Sequence, residues 1–355
     1  MQRKLSEREN FFRVMKGEGF ERIPLFLTLC DRLKERLRTE RGVTDSQAYY
    51  GIPFVYAGPA PSRYPVDYTP YYRDKQVDYI GEWGDGHRYG SMEHFTHFIP
   101  CMDTFETPEQ VRAFPLPDVL ADYRWENTAA EVQARKEQDK IVIGSINIDV
   151  FEPAWYLRGL EQMLMDFYDD EEMAFACLDR IGECKEQVAV RLAQAGVDVI
   201  VFGDDVGTQN GMMISPAMWR KYLQPRLKQI IRRVKETSPD VLCYYHSDGD
   251  IRDILPELLD CGMDILNPIQ PECMNPVDIY TQYHHRVALW GTIGTQTTMP
   301  FGTVGDVREK ALEMLQLAKK SGRLVLAPTH LLEPEVPLEN IDMLVKTVQE
   351  FCCQS

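Results

Sequence analysis

Several signatures are missing from this chain of 355 residues, and each absence removes a class of function. No G-x-G-x-x-G or P-loop fingerprint occurs, so nucleotide binding has no support. No G-x-S-x-G elbow occurs and none of the nine cysteines sits in a nucleophile motif, which leaves covalent acyl chemistry unsupported. The cysteines (30, 101, 177, 184, 243, 261, 273, 352 and 353) form no C-x-x-C pair. They imply neither a zinc ribbon nor a disulfide framework and read mostly as small buried hydrophobes. Basic side chains are scarce: 39 Lys and Arg stand against 55 Asp and Glu, a formal charge of −16, which argues against nucleic acid or an anionic membrane as partner. No run of eighteen apolar residues appears, and the opening MQRKLSERENFFRVMKGEGF reads as a charged helix rather than a signal peptide. The expected location is cytoplasmic.

The chain does contain a repeated unit. Eight short apolar runs, at 23–29, 77–80, 141–146, 197–202, 241–245, 263–266, 287–290 and 324–327, each end in turn or polar residues. Helical segments at 216–235, 251–261, 277–283 and 304–319 separate the later ones. Strand, helix and strand in alternation favour a parallel closed sheet, and eight is the strand number of a (β/α)8 TIM barrel. The whole chain, 1–355, is expected to be one such domain. Residues 49–79 stand apart, with five prolines and eight tyrosines. They read as an ordered insertion after the first strand that either covers the barrel mouth or packs on the outer helices. In the first case Tyr64 and Tyr68 would form part of a substrate pocket.

Polar residues collect where the runs end. His246-Ser-Asp248-Gly249 follows the fifth run, Gly203-Asp204-Asp205 the fourth, Asn147-Ile-Asp149 the third and Thr329-His330 the eighth. A divalent metal needs nitrogen and oxygen donors converging from separate segments, and His246, Asp248, His330 and Glu152 would make a mixed His/carboxylate zinc site. Two other readings stay open. His246 and Asp248 could bond each other and cap the next helix, or His246 could act as a general acid oriented by Asp248 without a metal. Adjacent carboxylates repel, so one of Asp204 and Asp205 should pair with a cation or have a raised pKa. One of them would contact substrate and the other cap a turn. Asn147, Gln209 and Asn267 are candidates for orienting a ligand, or simply close turns. His87, His94 and His97 read as core or surface residues.

These same stretches carry a resemblance. FGDDVGTQNGMMISPAMWRKYLQPRLK (202–228), YHSDGDIRDILPELLDCGMDILNPIQ (245–270), WGTIGTQTTMPFGTVGDVREK (290–310) and LAPTHLLEPEVPLENI (326–341) resemble the uroporphyrinogen decarboxylase superfamily, which implies an (α/β)8 barrel. True decarboxylases of that superfamily carry an early arginine-rich signature similar to R-Q-A-G-R-Y; here the region is Leu25-Phe-Leu-Thr28-Leu-Cys30-Asp31-Arg32. The other branch, the corrinoid-dependent methyltransferases, is similar in having a His after the fifth strand and a further ligand after the eighth. Its thiol-activating members show His-x-Cys with a later Cys, where this chain has His246, Asp248 and, approximately, His330. Oxygen donors make a harder Lewis acid, suited to a methyl ether oxygen as in relatives resembling O-demethylases. The resemblance thus implies zinc-dependent transfer of a methyl group from a small substrate, for example a methoxyaromatic, to the cobalt of a corrinoid (cobalamin) protein, with Asp204 or Asp205 orienting the substrate. The alternative is a metal-free decarboxylase of a tetrapyrrole or other carboxylic acid. A third reading is a tetrapyrrole carrier without turnover.

Overall fold

The computed structural model describes residues 4–90 and 96–353, the side chains of Cys352 and Cys353 excepted. Twelve strands occur among them: β1 Phe54–Ala57, β2 Tyr79–Ile80, β3 Gly86–Tyr89, β4 Thr96–Ile99, β5 Ile141–Gly144, β6 Val199–Gly203, β7 Gly207–Thr208, β8 Gly211–Met212, β9 Leu242–His246, β10 Ile265–Asn267, β11 Ala288–Trp290 and β12 Leu324–Val325. Seven of these form one parallel sheet in the order β1-β5-β6-β9-β10-β11-β12. Their residues are almost all buried, as expected of strands covered by helices on one side and by the interior of a curled sheet on the other. The curl shows directly in side-chain contacts. Phe54 on β1 meets Trp290 on β11 with ring centroids 4.8 Å apart, although four strands separate them in the hydrogen-bonded order. Phe26 and Tyr244 also touch Trp290, at 5.0 and 5.3 Å, so one aromatic layer fills the interior.

The expected eight-stranded sheet needs correction. The run at 23–29 approaches the last strand through isolated parallel bridges, Leu25 with Leu326 and Leu29 with Leu332, rather than as a full strand. The run at 77–80 does not belong to the parallel sheet. Tyr79–Ile80 pairs antiparallel with β3, which pairs with β4, and its side chains are exposed or half-buried, so the run lacks the two-sided burial of an inner strand. The position assigned to it is taken by β1, which lies inside the stretch 49–79 and forms parallel pairs with β5 from Phe54–Ile141 to Ala57–Gly144. Its boundaries are set by a short helix, Ser46–Tyr50, capped by the Asp45 carboxylate and closed by Gly51 at φ +69°.

Helices fill the spaces between strands. Ser6 and Glu9 form a capping box on the helix Glu7–Lys16, whose Phe11, Val14 and Met15 are buried. Phe11 contacts both Phe54 and Trp290, so this helix packs against the aromatic layer. The helical segment expected at 216–235 opens with Pro216 after its cap Ser215, then widens into a π turn at Trp219–Leu223 before continuing as Gln224–Thr237. Pro225 explains the widening, because it offers no amide to the turn before it and its ring crowds that turn's carbonyl. No helix among the described residues is long and apolar enough to cross a membrane.

Candidate metal centre at the carboxyl ends of the strands

Register builds the site. Gly203 of β6, His246 of β9 and Asn267 of β10 lie in one row across the sheet, so the three turns beyond these strands emerge at the same height. Gly203 is required there, since a Cβ would stand 2.2 Å from the His246 carbonyl oxygen. Beyond this row Asp205, His246 and Asp248 converge, with one donor atom from each lying within 4.8 Å of the others. His246 Nε2 is 3.8 Å from Asp205 Oδ1, and the Asp248 amide donates to that same oxygen at 2.7 Å. Asp248 Oδ1 is buried and has no hydrogen-bond partner. A buried carboxylate oxygen left bare is costly, and a cation is one way to satisfy it. One imidazole nitrogen and two carboxylates suit a borderline divalent ion such as zinc.

A second tier of acids surrounds these three. Asp204 is buried and accepts from the amides of Val150 and Glu152 at 3.0 and 2.9 Å. Glu152 accepts from the Asp205 amide at 3.2 Å and from the Tyr156 hydroxyl at 2.5 Å. Burial pushes the Glu152 carboxyl up to about 7, and the Asp205 charge adds to it. Burial, then the Glu152 and Asp149 charges, raises Asp204 well above the usual carboxylate range. Burial alone would lower His246, but Asp248, Asp205, the bond to Asn267 and Glu152 together raise it. Asp248 is raised by burial and by Asp205, against the pull of His246 and His330. The cluster therefore takes up positive charge, as protons or as a cation, more readily than its separate groups would. A nearby cation, Lys185, is already engaged at 2.5 Å by Asp149 and at 2.8 Å by the Asn147 carbonyl.

Beside the cluster is a cavity of about 210 Å³, lined by Phe26, Tyr56, Tyr244, Trp290, His246, Asn267, Thr329 and His330 among others. His330 is an exposed residue on this wall and lies outside the three-donor group; Glu152 is also outside it, with both carboxylate oxygens engaged. Asn267 is brought to the site. Asn147 and Gln209 are exposed, and Gln209 bonds Gln296 at 2.7 Å. Tyr64 and Tyr68 do not line this cavity: Tyr64 is exposed beside Tyr123, and Tyr68 is buried and stacked on Phe114 at 5.4 Å. From 49–79 the cavity takes Tyr56 instead, a residue of β1. His87 bonds Asp85 and Thr96 within the small antiparallel sheet, and His94 lies outside the described residues. Sequence alone puts Asp205 against substrate rather than among metal donors, and it does not single out Tyr244. A signal for Tyr244 exists in its spacing: in β9, residues two apart share a face, so Tyr244 and His246 point the same way.

The chain belongs to the uroporphyrinogen decarboxylase (URO-D) family, whose model matches residues 103–351. It is 28% identical over 174 residues to the methylcobamide:CoM methyltransferase MtaA of Methanosarcina barkeri, covering 49% of this chain and 48% of that one. It is 26% identical over 187 residues to the uroporphyrinogen decarboxylase of Chlorobaculum tepidum, covering 52% and 50%. The chain thus spans about half the length of the curated relatives it matches. Its fold is that of a methyltransferase from Methanosarcina mazei, with a TM-score of 0.70 at 19% identity over 98% of this chain and 99% of that one.

Proposed function

We propose that this protein is a zinc-dependent methyltransferase that moves a methyl group from a small methylated compound, of which methoxylated aromatics are the favoured class, to a corrinoid protein docking over the strand ends. The observation that carries this reading is the group Asp205, His246 and Asp248, with a bare buried carboxylate oxygen, beside an aromatic-walled cavity. These three residues would hold the metal, which when bound would polarise the leaving oxygen as a Lewis acid. Phe26, Tyr56, Tyr244 and Trp290 would grip a planar substrate through area and ring-edge contacts. Glu152 would keep Asp205 in place through its amide, and His330 would close the outer wall.

The family also contains decarboxylases, but the cavity argues against a tetrapyrrole. Drug-sized ligands fill roughly 300–1,000 Å³, and this cavity of about 210 Å³ has no Arg or Lys in its wall to meet several carboxylates. The test pairs metal analysis with an acceptor assay. The purified protein should carry close to one zinc per chain and methylate a reduced corrinoid, seen as the methylcobalt absorbance, with at least one methoxybenzene in a panel. A zinc-free protein that releases carbon dioxide from a carboxylic acid would end this reading.

A further inference from the structure

We propose that Asn267 is a positioning residue that fixes His246 in the tautomer with Nδ1 protonated and Nε2 bare, rather than a contact for substrate. The inference rests on the reading of His246 Nε2 as a metal donor, but its own evidence is the hydrogen-bond network. His246 Nδ1 lies 2.6 Å from Asn267 Oδ1. The other end of the amide donates from Nδ2 to the Trp290 carbonyl at 2.7 Å. That second bond decides the first: a carbonyl can only accept, so Nδ2 must face Trp290 and Oδ1 must face the ring. An amide oxygen cannot donate, so the hydrogen between them belongs to Nδ1. The Nε2 lone pair is left on the side of Asp205 and Asp248, where a metal would sit.

The backbone is shaped to allow this. Asn267 and His246 are register partners on adjacent strands, which sets the side chains next to each other. Gly291, following Trp290, adopts φ +85°, and a Cβ there would stand 2.9 Å from Asn267 Nδ2 and 3.2 Å from the Pro328 carbonyl oxygen. Only glycine leaves the amide its place without strain. A neutral imidazole free in water prefers the proton on Nε2, so the bond from Nδ1 imposes the less common form. Groups that orient a metal-bound histidine this way typically change metal affinity 10–100-fold when lost.

The test is ¹⁵N histidine NMR of the full metal-free chain, with the His246 signals assigned by their loss in H246Q. In the unsubstituted protein, above the pH at which the ring loses its charge, Nδ1 should carry the proton. A protonated Nε2 overturns the proposal whatever any variant does. In N267L the proton should move to Nε2 and zinc affinity, measured by competition with a chromophoric chelator, should fall 10–100-fold. In N267D, whose carboxylate still accepts from Nδ1, the tautomer should persist. An unchanged tautomer or an unchanged zinc affinity in N267L overturns the proposal. Failure of the unsubstituted protein to bind zinc would instead sink the metal reading, while the tautomer alone would still decide what Asn267 does to His246.

Discussion

The two ends of the parallel sheet use the same residue type in opposite settings. At the amino ends, Asp198 before β6 is buried, accepts from the Val142 amide, and is met by Arg8, at 2.8 Å from Nη2, and by Lys136 at 3.1 Å. Asp264 before β10 accepts from the Cys243 amide at 2.8 Å and from Lys235 at 2.7 Å. At the carboxyl ends, Asp204, Asp205, Asp248 and Glu152 face each other, backbone amides, the Tyr156 hydroxyl and two histidines. Each acid at the lower end ties a strand start to an outer element and brings its own cation. The upper acids have gathered charge without supplying the cation, an arrangement that costs stability unless something positive from outside binds there. One end reads as scaffold and the other as site, the same division that (β/α)8 barrels show.

The sharpest way to break that contrast is at His246. H246A should lose bound zinc and methyl transfer together, while the unfolding free energy of the metal-free chain drops by no more than about 2 kcal/mol for the orphaned Asn267 oxygen. Metal analysis, the corrinoid assay and a urea titration on one preparation check this. Full activity in the variant would remove His246 from the site.

Next in size is the lower end. D198N strips a buried carboxylate from two cations and should cost about 3–5 kcal/mol, the range for breaking a buried pair, with zinc content and turnover per folded molecule unchanged. Loss of zinc in D198N at temperatures where the chain stays folded would mean the two ends are not separable.

The third prediction concerns pH. Glu152 titrates near 7 in the fold against a usual 4.5, so the folded chain holds a proton there that the unfolded chain releases. Its contribution is fully present below about 4.5 and is lost as pH rises to and beyond 7. Glutamine does not titrate. The stability of metal-free E152Q relative to the parent should therefore climb between those limits and level off above 7, a change on the order of 3 kcal/mol. Melts of both proteins at pH 4.5 and 8 measure it, since any effect of the substitution that does not depend on pH cancels between the two. A flat difference would show that burial and the Asp205 charge do not raise the Glu152 carboxyl.

Much of this was legible in the sequence, and the misses have physical causes. The runs at 141–146, 197–202 and 241–245 declared themselves because inner strands are apolar on both faces and stop at polar turns. Strand β1 did not, since Phe-Val-Tyr-Ala is only four residues long and sits among prolines and tyrosines that suggested a loop. The run at 77–80 had the right composition but no second buried face, which only tertiary structure reveals. Asp248 and His246 could be named from one turn. Asp205 as their neighbour could not, because its position depends on the register of β6 against β9. The cavity wall draws on β1, β9, β11 and the 23–29 segment, and no local pattern joins these.

The smallest predicted effect separates the two lower acids from each other. Asp264 and Lys235 have side chains that are 33% and 29% exposed, whereas Asp198 is 3% exposed. Water screens the first pair, and exposed or half-exposed pairs contribute about 0.2–1 kcal/mol. Asparagine at 264 can still accept from the Cys243 amide, so the strand start remains tied. D264N should therefore cost about 1 kcal/mol, a fraction of the loss in D198N, and this cost should shrink further in high salt, where exposed charges are screened most. Urea unfolding of both variants at low and high ionic strength reads all four values. If D264N is as damaging as D198N, or equally insensitive to salt, burial is not what grades the lower end. The separation of scaffold acids from site acids would then need another basis.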